Sequence, residues 1–457
     1  MEKMTIHPIR DGRHSADDNW IFDNKAILPP VWMEGKRINE IKFRDHYLTR
    51  HPLYYVGNKY RDVNGLVHED AIKREIIEMI SPCITHDVMR CANKLIELIR
   101  SEAGRKELPI NENEIQFKNG TYYVGEKRFT HERTICLNPL PVIYNPKAPR
   151  PEKWLAFLNE LFYEEDILCL QEYFGYVLVQ HTKGQSMLII LGKGGEGKSV
   201  IYTVLRSILG ENMEASEIHK LQTDKFALAN LSGKLLMLDE DMKLEALPST
   251  NILKKVVTSK YEMDLEEKNK QSYQGRMYVR LMGFSNKPLH ALHDDSTGFY
   301  RRQLYIKVKP RRTARVDDAY IDDKLLAETE GILLWCLEGL ERLKNNGWHF
   351  TVSERMKNLQ KEIREADNNI LEFLQSAGYI EFERDAVSKT SDLLEAYRQW
   401  CNDNATKAQG VDTFSRYIHE NQDELHLRYD KYLPNEKGKN TIRGYHGVRV
   451  IKEEELK

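Results

Sequence analysis

The run Leu191-Gly-Lys-Gly-Gly-Glu-Gly-Lys-Ser199 constrains this chain more than any other stretch of it. Gly192, Gly194, Gly195 and Gly197 let the backbone curl until successive N–H groups face one point, the arrangement that holds a phosphate at a helix N-terminus. The apolar run Met187-Leu-Ile-Ile-Leu191 precedes the glycines, and Val200 to Leu209 follows with the spacing of an amphipathic helix. Strand, glycine loop and helix together are the context of a nucleoside-triphosphate loop. A glycine-rich surface turn would share the composition but not both flanks. The loop would then run from Gly192 through Glu196 to Val200. Lys198 would reach the β- and γ-phosphates, and the Ser199 hydroxyl would hold Mg²⁺. The expected ligand is ATP with Mg²⁺.

Length and composition narrow the classes. A chain of 457 residues has room for about three domains. With 41% hydrophobic and 30% charged residues it can bury sizeable cores and still be soluble. Its formal net charge is −2, so contact with nucleic acid must come from local patches. Met1 to Arg10 lacks the apolar core of a signal peptide, and no apolar run is long enough to span a bilayer. A cytoplasmic protein without membrane partners is expected. The six cysteines show no CxxC pair, and Cys83, His86 and Cys91 lack an evident fourth ligand, so free thiols are expected rather than zinc.

Three units are expected: 1–150, 151–365 and 366–457. In the first, Leu53 to Val67 reads as a meander with an Asn64-Gly65 turn, and Ala71–Ile80 and Asp87–Arg100 read as helices. Short strands follow from Ile115 to Val124, around Asn119-Gly120, and then a proline-marked connector. Trp154–Leu161 and Leu168–Val179 read as helices leading into the glycine-loop strand. The second unit alternates strand and helix signals, as an α/β core should. Leu325 to Leu343 reads as one long amphipathic helix, and beyond about Asn368 come helices and a final hairpin.

Further motifs follow the loop in order. Leu235-Leu-Met-Leu-Asp-Glu-Asp241 is an apolar strand ending in acids. Asp239 would hold Mg²⁺ and Glu240 would orient or deprotonate the attacking water, with Glu240 and Asp241 as an alternative register. The strand ending at Asn286, just before Lys287-Pro288, could deliver a carboxamide to that water. Arg301-Arg302 precedes another strand and suits an arginine finger, or else a solvated basic edge with Lys307, Lys309, Arg311 and Arg312 nearby.

In this order and spacing, the set resembles a superfamily 3 helicase, more closely the phage/plasmid primase–helicase family related to poxvirus-type enzymes. Phe117-Lys-Asn-Gly120, Leu140-Pro-Val-Ile-Tyr144 and Gln171-Glu-Tyr-Phe-Gly-Tyr176 are similar to that family's segment before the ATPase. Glu330-Gly-Ile-Leu-Leu-Trp335 and Glu338-Gly-Leu340 are similar to the helix after it. The resemblance implies an AAA+-like α/β ATPase core, an α+β collar before it and a ring hexamer with ATP between subunits. Lys198, Ser199, Asp239, Glu240 and Asn286 would come from one subunit and Arg301 or Arg302 from the next. It also implies that Lys268 and Lys270, in Leu265 to Tyr273, grip single-stranded DNA from a channel hairpin; on their own they mark an exposed turn. Thr258-Ser-Lys260 departs from the family's Thr-x-Gly turn.

The last unit reads as a winged helix. Ser391 is placed as the N-cap of one helix, and Thr413–Glu420 turns Phe414, Tyr417 and Ile418 inward and Arg416 and His419 outward. A closing hairpin from Leu427 to Val450 carries Arg428, Lys437, Lys439 and Arg443 among tyrosines, a surface for duplex DNA or for a docking partner. The stretch before residue 50 is too short for a primase domain, so a separate primase is expected. The whole is similar to replication initiators of phages, plasmids or pathogenicity islands, including the staphylococcal type. The implied activity is ATP-driven unwinding from an origin, 3′ to 5′; the alternative is an ATP-controlled switch or helicase loader.

Overall fold

The computed structural model describes residues 29–105, 107–243, 247, 249–260, 262–268, 271–289, 297–311, 318–367, 369–406, 408–423, 425–434 and 440–451. At its centre lies a five-stranded sheet of β1 (Met187–Leu191), β2 (Met213–Ala215), β3 (Leu236–Asp239), β4 (Arg280–Ser285) and β5 (Gln303–Lys307). The strands run β2-β3-β4-β1-β5, and each neighbouring pair is parallel. A parallel sheet covered on both faces needs continuous apolar strands rather than alternating ones. Strand β1 meets that need, since all five of its residues are buried.

Its side chains divide between two cores. Leu188 and Ile190 face one side with Tyr278, Met282 and Phe284, while Met187, Ile189 and Leu191 face the other with Val279 and Leu281. That is the period of two expected of a strand. The first face is covered by α1 (Glu152–Leu161), α2 (Glu164–Tyr176), α3 (Lys198–Leu209) and α4 (Thr329–Asn345). The second is covered by the shorter helix Asn251–Val257 and by Phe299, Tyr300 and Ile363.

Helices α2 and α4 meet backbone to backbone. A Cβ on Gly175 would lie 2.4 Å from the Cys336 carbonyl oxygen, and one on Gly339 would lie 2.2 Å from that of Gln171. Beside this contact the fully buried Glu172 carboxylate accepts from Arg342 Nε (2.7 Å), Thr351 N (2.6 Å) and Thr351 Oγ1 (2.7 Å). Arg280, also fully buried, lies 4.4 Å over the Tyr176 ring and donates to the carbonyls of Tyr278 and Val179.

The single helix expected over Leu325 to Leu343 is two helices, Ile321–Leu326 and α4. Between them Glu328 turns its carboxylate onto the N–H groups of Lys153 (3.1 Å) and Trp154 (3.0 Å), capping α1 from outside. A continuous helix would carry that carboxylate away from α1.

Before the sheet, helices Glu40–Arg50, Glu69–Ile80 and Val88–Ala103 and the meander Tyr54–Val56, Lys59–Asp62, Gly65–Val67 enclose a core of their own. The next meander, Glu114–Phe117, Gly120–Tyr123 and Arg128–Thr130, buries Ile115 and Phe117 in the same core as α1 and α2. After the sheet the order is helix Asn369–Gln375, strand Ile380–Lys389, helices Thr390–Asp403 and Val411–Glu420, and strands Arg428–Pro434 and Asn440–Val450. The last strand lies between the other two, antiparallel to both. Ser391 is not an N-cap: its helix starts one residue earlier, after Lys389, and the Ser391 hydroxyl bonds Asp392 instead (2.9 Å). No helix among the described residues is long and apolar enough to cross a membrane.

Gly175→Ala should destabilise the fold by about 1–3 kcal/mol, because the new methyl overpacks against rigid backbone. Denaturant unfolding of both forms checks this; equal midpoints would contradict the close approach.

Candidate nucleotide site

The glycine loop hangs from two strand ends. Gly192 N donates to Ser285 O at the end of β4 (2.9 Å), and Val308 N, just past β5, donates to Leu191 O (2.9 Å). Gly194, Gly195 and Gly197 have φ of +109°, +75° and +109°, conformations that a side chain would strain. Helix α3 starts at Lys198, so the N–H groups of its first turn face the loop, that of Val200 donating to Gly197 O (3.2 Å). A Cβ on Gly192 would lie 2.8 Å from Lys198 Nζ and 2.4 Å from Val308, so the floor is as close to those groups as a glycine allows.

Glu196 does not point to solvent. It is 5% exposed, and its Oε2 accepts from Gly194 N (2.8 Å) and from Lys198 Nζ (3.0 Å). Burial pushes its carboxyl upward, but the Lys198 ammonium and the loop N–H groups outweigh this and hold it below the usual range. Ser199 is exposed beside it, and Val200 is half-buried.

Asp239 ends β3 and pairs in register with Gly283 of β4, which pairs with Ile189 of β1. The acid therefore stands two strands from the loop, at the same edge of the sheet. Its Oδ2 accepts from Ile218 N (2.7 Å) and its Oδ1 from Asp241 N (3.3 Å). Burial raises its pKa above the ordinary value despite those bonds. Glu240, Asp241 and Asn286 follow the ends of their strands and are exposed. The fold thus gathers Lys198, Ser199, Asp239, Glu240 and Asn286 along one edge. Convergent amides, an ammonium, a hydroxyl and a carboxylate are a donor set that fits a triphosphate with its Mg²⁺.

Arg301 and Arg302 are not brought to that edge. They precede Gln303, which pairs with Met187 at the opposite end of the sheet, roughly 15 Å or more of strand away. Arg302 is half-buried and donates to the Gly298 carbonyl, whereas Arg301 is exposed. Arg311 does reach the loop: its Nη1 donates to Gly195 O (3.1 Å). In the sequence it belongs to a basic edge, and only the return of β5 alongside β1 brings it here.

Lys268 is exposed in the turn of a two-stranded antiparallel hairpin, Glu262–Leu265 with Tyr273–Arg276, inserted before β4. Lys270, Lys437 and Lys439 lie outside the described residues. Arg416 is exposed on a helix whose Phe414 and Ile418 are fully buried. Arg428 and Arg443 are exposed on the closing strands. Tyr432 is exposed with them, but Tyr445 is buried in the unit's core.

A family model described as a family of unknown function (DUF5906) matches residues 190–302, which span the loop, β3, the hairpin, Asn286 and Arg301-Arg302. Among curated proteins none matches. The apo structure of the NrS-1 C-terminal region (305–718) is similar in fold, with a TM-score of 0.55 at 14% identity, over 90% of this chain and 99% of that one. Its A form gives 0.53 at 14% identity, over 89% and 98%.

A buried carboxylate with a raised pKa costs stability once it ionises. Its contribution is most favourable below the unfolded-chain value and is lost as pH rises through the folded one. Without Mg²⁺ the wild type should therefore lose stability as pH rises through the raised Asp239 pKa, and Asp239→Asn, which removes that titration but also one of the two acceptors, should show a flatter dependence of melting temperature on pH. Melts across pH check it; a variant whose pH dependence matches the wild type would contradict the raised pKa.

Proposed function

We propose that this chain is an ATP-dependent DNA helicase of superfamily 3 that initiates replication of a mobile genetic element. The observation that carries the reading is the assembly of loop, acid pair and Asn286 along one edge of a parallel sheet ordered β5-β1-β4-β3-β2. That order supports an AAA+-like core, and Lys268 at a hairpin turn would be the element such a motor moves along DNA.

In this reading the loop N–H groups and Lys198 bind the β- and γ-phosphates, and Ser199 and Asp239 would hold Mg²⁺, which would neutralise phosphate charge. Glu240 takes the proton of the attacking water, and Asn286 orients that water. Arg301, exposed at the far edge, or Arg302 serves a neighbouring copy's site, as a ring hexamer with shared sites would have it. Hydrolysis at a shared site changes how copies sit against each other, and Lys268 with Lys270 follows the DNA backbone without reading bases.

The final unit has the helix, strand, helix, helix, strand, strand order of a winged helix, which supports its reading as the origin-binding domain. There Arg416 would enter the groove, and Arg428 and Arg443, with Lys437 and Lys439, would contact phosphates. A separate primase would complete initiation, and 3′ to 5′ movement is the polarity the family resemblance implies. The likeness to the NrS-1 region supports the overall architecture of this reading.

On a forked duplex, the chain should hydrolyse ATP faster with DNA present and separate the strands. Glu240→Gln and Lys198→Ala should each lower turnover roughly a hundredfold or more. Hydrolysis without strand separation, on forks of either polarity, would replace the helicase with an ATP-controlled switch or loader. Lys268→Ala should keep ATP affinity within about twofold while losing most DNA stimulation; normal unwinding by that variant would remove the hairpin from the mechanism.

A further inference from the structure

The phosphate loop is already occupied by part of the chain. Gly194 N and Lys198 Nζ converge on one oxygen, Glu196 Oε2, at 2.8 and 3.0 Å. A backbone amide and an ammonium meeting at one anionic oxygen is the coordination a bound phosphate oxygen takes. The Glu196 Cδ lies 3.2 Å from where a Cβ of Gly192 would sit, so the carboxylate rests over the loop floor. With Glu196 5% exposed and the Lys198 side chain 11% exposed, the pair is shut away from water, although Lys193, Gly194 and Gly195 beside it are exposed.

From this geometry we infer that Glu196 is an internal competitor for the phosphate place, so that nucleotide enters only by displacing its carboxylate from Lys198. The inference rests on the reading of this loop as a triphosphate site. It adds that the affinity of that site is set from within. Lys198 cannot bond Glu196 Oε2 and a phosphate oxygen in the same position, and two anions sharing the loop floor would repel each other. Before nucleotide enters, the loop is thereby held around a paired lysine, and the binding energy of the nucleotide is reduced by the cost of breaking that pair.

The test is titration of the full chain with a fluorescent ATP analogue and Mg²⁺, using wild type, Glu196→Gln, Glu196→Ala and Lys198→Ala. Removing a charged hydrogen bond that competes with the ligand should tighten binding roughly tenfold or more in both Glu196 variants. Association measured by stopped flow should also quicken, because no carboxylate has to leave first. Melting curves of each form verify folding, and the isosteric Gln keeps the loop's shape. Affinity that is unchanged or weaker in both Glu196 variants, with Lys198→Ala defective, overturns the competitor while leaving the nucleotide site intact. Equal binding by wild type and Lys198→Ala, or binding by none of the forms, overturns the nucleotide site and the competitor with it.

Discussion

Strand β1 has neighbours on every side, and the rest of the architecture follows from that position. It pairs with β4 and β5 and sends alternate side chains into two separate cores. None of its residues can face water, so its sequence must be apolar throughout, and the chain can turn polar only where the strand stops. That stopping point is Gly192. The loop is therefore suspended between Ser285 and Val308 by backbone bonds that leave it little freedom to choose its place. The same constraint brings the ends of β3 and β4 to the loop's end of the sheet, where Asp239 closes β3 and Asn286 follows β4.

A second constraint acts through absent side chains. Gly175 and Gly339 let α2 and α4 approach until the backbone of one touches the other, and Glu172 with Arg342 locks the pair beside that contact. The segments Gln171 to Tyr176 and Glu338 to Leu340 are far apart in the chain, yet they are the two sides of this one contact. Their residue types answer to each other rather than to any ligand. The helix pair roofs the face of the sheet from which α3 projects, so it steadies the helix that begins at Lys198.

What the sequence revealed, and what it hid, follows from how local each signal is. The loop, β1, β3 and the early meanders were legible because their patterns complete themselves within ten or so residues. The break at Glu328 was hidden because its cause is the N-terminus of α1, some 175 residues earlier. Strand Ile380–Lys389 was missed because most of its residues are exposed and mark no buried face. Tyr445, one of the tyrosines among the basic residues of the closing hairpin, packs inward into the unit's core beside Tyr429, a contact made by strand register rather than by local pattern. Arg311 and the inward turn of Glu196 depend on three-dimensional closure and left no pattern to find. The positions of Arg301 and Arg302 in the motif order were plain, but only strand direction reveals that they face away from their own loop.

That last separation carries a kinetic corollary. In the ring we propose, a solitary copy holds the phosphate-binding groups, Lys198 and Arg311 among the cations at its loop, and lacks the Arg301 or Arg302 that a neighbour would bring. Turnover would then scale with more than the first power of protein concentration. Dilute chains would hold nucleotide as a store without spending it, and crowding many copies onto one stretch of DNA would itself be the ignition step. Timing would be governed by local copy number rather than by the supply of ATP.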